Sequence, residues 1–377
     1  MRILQTGILF SVLALAGPLA ATEKLADGLY AEFTTPHGAV VAELYYQKVP
    51  LTVASFVGLA EGTLAPRDGH PFYTGLTWYR VVPGFVIQSG NPGLKDTGDE
   101  SIPHKFADEL VPGLRHQEIG TLSMANAGPD TNGCEFFITL GDDTRLNYLH
   151  SVFGRTVRGV EVLPQIKPDE AFSIKILRVG PAAKAFKADP GTFQALAAQA
   201  GKYQGEAEPG PAAHFDDPDK LLPQDVPRAK NFNYKLNNFQ RFTGVRVCAR
   251  LFAKAPSAAE DAQPGAFMHA LATKLGVDRR GAVAAYFAEE DDWRVWFGEE
   301  STPALLGRAS TAADLVPEGS FHRAKEPFLA AARAAGDAAY ARQVKAAPPG
   351  QPPPAAQKLK LQTDALLDAL LLQLEPK

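Results

Sequence analysis

Eight histidines are scattered through the 377 residues, and none pairs with another at metal-ligand spacing. There is no Gly-x-Ser-x-Gly elbow, no His-Glu-x-x-His pair and no phosphate-binding glycine loop. Hydrolase, zinc-peptidase and nucleotide-dependent chemistries therefore start without support. The two cysteines, Cys134 and Cys248, are too few for a disulfide framework or a four-thiolate zinc site, and two free, partly buried thiols are expected. His70, His104 and His116 fall in turn-rich segments and are expected at the surface. Glu289-Glu290-Asp291-Asp292 could hold a hard cation through carboxylate oxygens, but such a run more often forms a solvated hairpin turn. No metal and no cofactor is expected.

Two stretches stand apart: Phe72 to Pro92 (FYTGLTWYRVVPGFVIQSGNP) and Gly120 to Thr139 (GTLSMANAGPDTNGCEFFIT). Together they resemble the signature segments of the cyclophilins, the barrel-type peptidyl-prolyl isomerases. Leu146 through His150 to Val152-Phe153-Gly154, the strand Ala39–Leu44 and the helix Thr52–Leu59 continue the pattern. The resemblance covers about 30–180, less than half of the chain.

The activity so implied has a simple bond chemistry. An Xaa-Pro bond rotates slowly because the nitrogen lends its lone pair to the carbonyl, leaving a barrier of about 20 kcal/mol. Lowering it takes no nucleophile and no proton shuttle. It takes a pocket for the proline ring, anchors for the flanking backbone, and a donor at the prolyl nitrogen. That donor stabilises the twisted state more than the planar one. A guanidinium, permanently charged and rigidly forked, suits the task. By resemblance Arg80 is this donor and Gln88 braces it. Phe85, Val86, Phe137 and Leu146 line the proline pocket, with His150 at its edge. Ala125 and Asn126 present backbone groups along the substrate, as an added strand meets a sheet edge.

Glu135 joins the substrate-binding set at a position where the family often carries Gln. A carboxylate there would either compete for the Arg80 guanidinium or hold it in place. Tyr79 replaces a commoner His and Val86 a commoner Met. Arg145 stands where the best-known members have Trp, so strong cyclosporin binding is not implied. The resemblance thus implies an isomerase acting on proline-containing polypeptides. The alternative is a proline-binding chaperone or scaffold with weak or no isomerase step.

The elements that must position these residues follow from pattern. Ala39–Leu44 reads as a strand after the turn at Pro36-His37-Gly38. Pro50 suits a first helical position, Val53, Phe56, Val57 and Ala60 form one apolar face, and Gly62 stops the helix. Thr77 to Ile87 reads as a strand that bends at Pro83-Gly84; Phe136–Leu140 and Ser173–Leu177 are further strands. The expected fold is multi-domain: a cyclophilin-like antiparallel β-barrel with flanking helices, then a smaller α/β domain and a C-terminal helix.

Residues 1–21 read as a signal peptide, with Arg2 at its start, an apolar core from Gly7 to Ala16, a break at Gly17-Pro18 and small residues Ala20-Ala21 before the cut. The apolar run is shorter than the roughly 20 residues a bilayer span needs, so no stable membrane span is expected after cleavage and a periplasmic or secreted protein is. The isomerase unit is placed at 28–180, a Pro-rich linker with one short helix near Phe193–Ala200 at 181–230, an α/β unit at 231–347, a Pro-rich spacer at 348–356 and a Leu-rich helix at 357–375. Thirty-eight Lys and Arg against forty-two Asp and Glu leave no cationic excess for phosphates, which excludes nucleic acid as the expected partner.

In the α/β unit, Val245, Val247, Ala249 and Leu251 alternate with polar residues as a half-buried strand. Phe267, Leu271 and Leu275 share a helix face, Ala282–Phe287 suits a central strand, and an Ala-rich helix runs from about Pro327 to Ala346. The order over 245–300 faintly resembles the TPM domains, from which no function is assigned. Leu359, Leu366, Leu370 and Leu374 fall near helical spacing. Their face either docks on its own α/β unit or serves a partner, so a partner is conceivable through 231–347 or the final helix.

Overall fold

The computed structural model describes residues 24–93, 103–206, 208–222, 228–315, 319–348 and 350–377; the expected leader, 1–21, lies outside them. Eight strands form one curled antiparallel sheet: β1 (Gly28–Thr35), β2 (Gly38–Leu44), β3 (Arg80–Val82), β4 (Val86–Ser89), β5 (Thr121–Met124), β6 (Phe136–Thr139), β7 (Val152–Arg158) and β8 (Ser173–Val179). Their order is β3-β4-β6-β5-β7-β2-β1-β8. The two ends of this row meet just outside the strands, where Thr77 bridges Ala171 and the Trp78 N–H donates to the Glu170 carbonyl at 3.0 Å. Closure of this kind leaves little free edge for unwanted pairing.

The sheet wraps an aromatic core of Phe33, Phe56, Trp78, Phe136 and Phe153, all fully buried. The helix α1 (Pro50–Glu61) starts at its proline and ends at Gly62, as the pattern predicts. The expected single apolar face is not what is found, because every residue from Leu51 to Ala60 is buried. The polar members of that run have partners: Thr52 Oγ1 donates to Glu109 at 2.8 Å, and Ser55 Oγ pairs with His104 Nε2 at 2.8 Å.

Thr77 to Ile87 is not one bent strand. The Phe85 N–H donates to the Val82 carbonyl at 3.0 Å, Gly84 has φ +70°, and Pro83 precedes it, so β3 and β4 form a tight hairpin.

The stretch 181–230, expected as a linker, carries the helices α2 (Gly180–Ala185) and α3 (Pro190–Gln199) and the short strand β9 (Phe215–Asp216). Asp189 caps α3 by accepting from the Thr192 N–H at 2.8 Å, and Phe193, Leu196 and Ala197 pack on the first core. The prolines punctuate elements there instead of stiffening a spacer.

A second sheet follows, with β10 (Val247–Phe252), β11 (Ala282–Phe287) and β12 (Asp292–Phe297) joined to β9 in the order β12-β11-β10-β9. The β9–β10 and β10–β11 pairs are parallel and β11–β12 is antiparallel. The helices α4 (Arg228–Thr243) and α5 (Ala266–Lys274) pack against it. After β12 come α6 (Thr302–Leu306), α7 (Ala312–Leu315), α8 (Ser320–Ala346) and α9 (Ala355–Leu374).

Ala282–Phe287 is central and wholly buried, as expected. The neighbouring β10 was expected to be half-buried and is instead buried on both faces. Cys248 is enclosed, and the Arg250 guanidinium donates to the carbonyls of Pro211, Ala213, His214 and Ala249. α8 begins well before Pro327, which sits inside it. In α9, Leu366, Leu367, Leu370 and Leu374 belong to the second core, so the leucine face docks within the chain. Cys134 and Cys248 are fully buried, in different cores. Glu289 to Asp292 form the exposed turn between β11 and β12. Among the described residues no helix is long and apolar enough to cross a membrane.

Candidate active site

Strand register assembles the site. Arg80 on β3 lies opposite Gln88 on β4, Gln88 opposite Phe137 on β6, and Phe137 opposite Ser123 on β5. Side chains alternate across a pleated strand, so this row shares one face, while the adjacent row of Val81, Ile87, Ile138 and Leu122 turns toward the core. The site row therefore lies on the outside of the curled sheet. Two residues along from Gln88, Val86 joins the same outer face.

Val86, Ala125 and Phe137 form a small apolar cluster separate from the main core, with Phe85 and Leu146 packed against it. Phe85, Val86, Phe137 and Leu146 are the residues expected to line a proline pocket, and the cluster holds all four; Ala125, expected to present backbone groups, adds its side chain to it. His150 lies edge-on to Phe137 with ring centroids 5.5 Å apart, and its Nδ1 donates to the Met124 carbonyl at 2.9 Å. The Asn126 side chain donates to the Leu149 carbonyl at 2.8 Å, which ties the 125–126 backbone to the loop carrying Leu146 and His150. The Ala125 N–H already donates to the Glu135 carbonyl at 3.0 Å.

Arg80 stands at the rim of this cluster. Its Nη1 donates to Gln88 Oε1 at 3.0 Å, and its Cζ lies 5.5 Å from the Phe85 ring centroid. Arg145 approaches the same ring more closely, at 4.4 Å.

Glu135 is not at the surface of the site. It is 2% exposed, and its carboxylate accepts from Tyr79 Oη at 2.9 Å, Gln88 Nε2 at 3.1 Å and Asn91 Nδ2 at 2.7 Å. Its carboxylate therefore sits behind Gln88, and its bonds go to Tyr79, Gln88 and Asn91 and not to Arg80. Because a carboxylate only accepts, it draws the Gln88 amide nitrogen inward and leaves Oε1 for the guanidinium. Burial and the adjacent Glu135 charge push the Tyr79 hydroxyl well above its usual range, so it remains a donor.

Sequence reasoning placed His116 at the surface, and it is fully buried. It stacks on the far side of Phe137 with ring centroids 5.8 Å apart, and pairs with Ser123 Oγ at 2.9 Å and Asn147 Oδ1 at 3.0 Å. Burial lowers its pKa to about 3 and that of His150 to about 4, so both rings flanking Phe137 are neutral near pH 7. No local signal marks His116 as a brace, because its partners are strands and turns away. Asn91, likewise not singled out, could have been suspected only as the polar residue that closes the first signature stretch.

The Ser123–His116 pair is fully buried, so the arrangement presents no nucleophile to a bound peptide. It can enclose an apolar ring, fix a polypeptide backbone and offer a fixed cationic donor. Residues 30–180, which build the curled sheet, match the family described as cyclophilin type peptidyl-prolyl cis-trans isomerase/CLD. A probable peptidyl-prolyl cis-trans isomerase A of Mycobacterium leprae is 42% identical over 140 residues, covering 35% of this chain and 76% of that protein. A peptidyl-prolyl cis-trans isomerase-like 1 protein of Aspergillus fumigatus is 40% identical over 135 residues, covering 36% and 79%. Among solved structures, a Cryptosporidium parvum cyclophilin is 30% identical at a TM-score of 0.35, covering 40% of this chain and 98% of that one. The chain belongs to the cyclophilin-type peptidyl-prolyl cis-trans isomerases, and the segment that places it there is the one that builds the site.

Proposed function

We propose that Arg80 donates to the prolyl nitrogen of a proline-containing polypeptide whose ring lies in the slot of Val86, Ala125, Phe137, Phe85 and Leu146. The observation that carries this is the guanidinium fixed by Gln88 at 3.0 Å on the rim of that apolar cluster. As the bond twists, the nitrogen regains its lone pair and becomes a better acceptor. A donor already in place stabilises that state at no cost of reorganisation. The Asn126 backbone and the Ala125 carbonyl are the groups that would run beside the client strand.

The clients are proteins exported from the cytoplasm, a reading that rests on the leader-like residues 1–21. On this reading the chain is a two-unit protein, and the second sheet serves targeting or partner contact. The alternative, a scaffold with little isomerase activity, drew on Glu135 and Tyr79 disturbing the arginine. With both groups bonded to each other and to Gln88, it loses that ground.

The test is a coupled isomerisation assay on an Ala-Pro peptide. Wild type accelerates the reaction, and Arg80→Ala lowers kcat/KM by roughly 10²–10³-fold, the usual effect of removing one charge-stabilising donor. An Arg80→Ala protein with full activity would remove the arginine from the mechanism. Peptide binding by wild type with no gain in rate would restore the scaffold reading.

A further inference from the structure

Leu146 and His150 flank the slot, and between them Tyr148 holds a backbone conformation that its side chain disfavours. Its φ is +60°, in the left-handed region that bulky residues seldom occupy. The turn is closed from within, where the Leu149 and His150 N–H groups donate to the Leu146 carbonyl at 3.1 and 3.2 Å, and it is held further by contacts from outside the isomerase sheet. The Tyr148 ring meets Phe239 of α4 edge-on at 5.0 Å, and Asn238 Nδ2 donates to the Tyr148 carbonyl at 3.0 Å. The Tyr148 hydroxyl donates to Glu375, just beyond α9, and Glu375 also pairs with Arg115. Tyr148 thus belongs to the second apolar core although its neighbours in sequence belong to the slot.

We propose that Tyr148 is a positioning residue, clamped by α4 and by the C-terminal Glu375 so that the second unit sets the spacing of the slot walls. The proposal rests on the reading of Leu146 and His150 as those walls. Released from the clamp, a tyrosine relaxes toward negative φ and turns the chain between them. Arg80 and Gln88 sit on β3 and β4, outside this loop. The loss therefore falls on the grip for proline and appears in KM, while kcat is largely kept.

The test uses the full chain and separates loop conformation from lost packing. Tyr148→Ala and Tyr148→Gly both remove the ring and its hydroxyl, but only glycine holds a positive φ without strain. Tyr148→Ala is expected to raise KM for an Ala-Pro peptide roughly tenfold, the equivalent of the left-handed penalty. Tyr148→Gly should recover most of the affinity, to within roughly threefold of wild type. Asn238→Ala, a smaller change should the first variants fold poorly, should raise KM and be rescued when combined with Tyr148→Gly. Equal KM values for the Ala and Gly variants, raised or not, would overturn the clamp, as would an Asn238→Ala protein with wild-type KM. Arg80→Ala is assayed alongside. If it keeps the wild-type rate, the slot reading has failed and the clamp falls with it; if it is inactive while Ala and Gly at 148 are alike, the clamp alone has failed.

Discussion

At the scale of single residues, the site holds a carboxylate buried behind its apolar cluster. Glu135 accepts three hydrogen bonds in a buried setting, from the Tyr79 hydroxyl and from the Gln88 and Asn91 amides. Its effect on Arg80 is indirect: it fixes which end of the Gln88 amide faces the guanidinium. Glu135→Leu keeps similar bulk but leaves the Tyr79 hydroxyl proton without its acceptor and takes one acceptor each from the Gln88 and Asn91 amides. The cost should be about 3 kcal/mol in urea unfolding, the sum expected for an orphaned buried donor and the lost amide bonds. The same variant should lose isomerase activity, since Gln88 can then turn and leave Arg80 without its brace. Glu135→Gln retains one acceptor oxygen and should lie between the two. A Glu135→Leu protein with wild-type kcat/KM would show that Gln88 needs no such anchor.

At the scale of elements, the proposed site row was legible because its members fall in the two contiguous stretches that resemble the cyclophilin signatures. Arg80, Gln88 and Phe137 were named by that resemblance and by no strand pattern, and strand register aligns them. Glu135 entered the substrate-binding set because it stands where the family often carries Gln, and the sequence carries no sign that its carboxylate is buried behind Gln88. The 181–230 stretch misled for another reason: proline at a helix N-terminus and proline in a spacer are the same letter. Only the packing of Phe193 and Phe215 into two different cores separates them. The docking of α9 on α8 includes a small-residue contact that can be tested. A Cβ at Gly336 would lie 2.5 Å from the Gln362 Cα, so the two helices touch through backbone. Gly336→Val should therefore push α9 away and cost about 2 kcal/mol or more, the usual penalty for overpacking. A thermal melt lowered by several degrees checks it, and an unchanged melt would place the helix pair further apart than described here.

At the scale of the whole molecule, the two sheets are joined by buried groups, not only by chain connectivity. Leu110 and Tyr148, both from the isomerase half, are counted in the second core. Around them, Asp130 accepts from Arg241 Nη1 at 3.0 Å and from the Tyr203 N–H at 2.5 Å, and Arg115 pairs with Glu375. The polar ties span positions far apart in sequence and left no trace in composition or periodicity. Both ion pairs are largely buried, so desolvation offsets much of their attraction, and the apolar contact should decide whether the halves melt together. Leu110 is 5% exposed, and a carboxylate in its place would cost several kcal/mol unless the surface opened to hydrate it. Opening the joint is the cheaper route, because the aromatic core of the curled sheet does not include Leu110. Scanning calorimetry should then show one endotherm for wild type and two for Leu110→Asp, with the second sheet melting first and the isomerase sheet close to its original temperature. Two well-separated endotherms in wild type would mean that the joint carries no cooperativity. In that case a change in the second unit would have no route to the slot through Tyr148 beyond the local contacts of Asn238, Phe239 and Glu375.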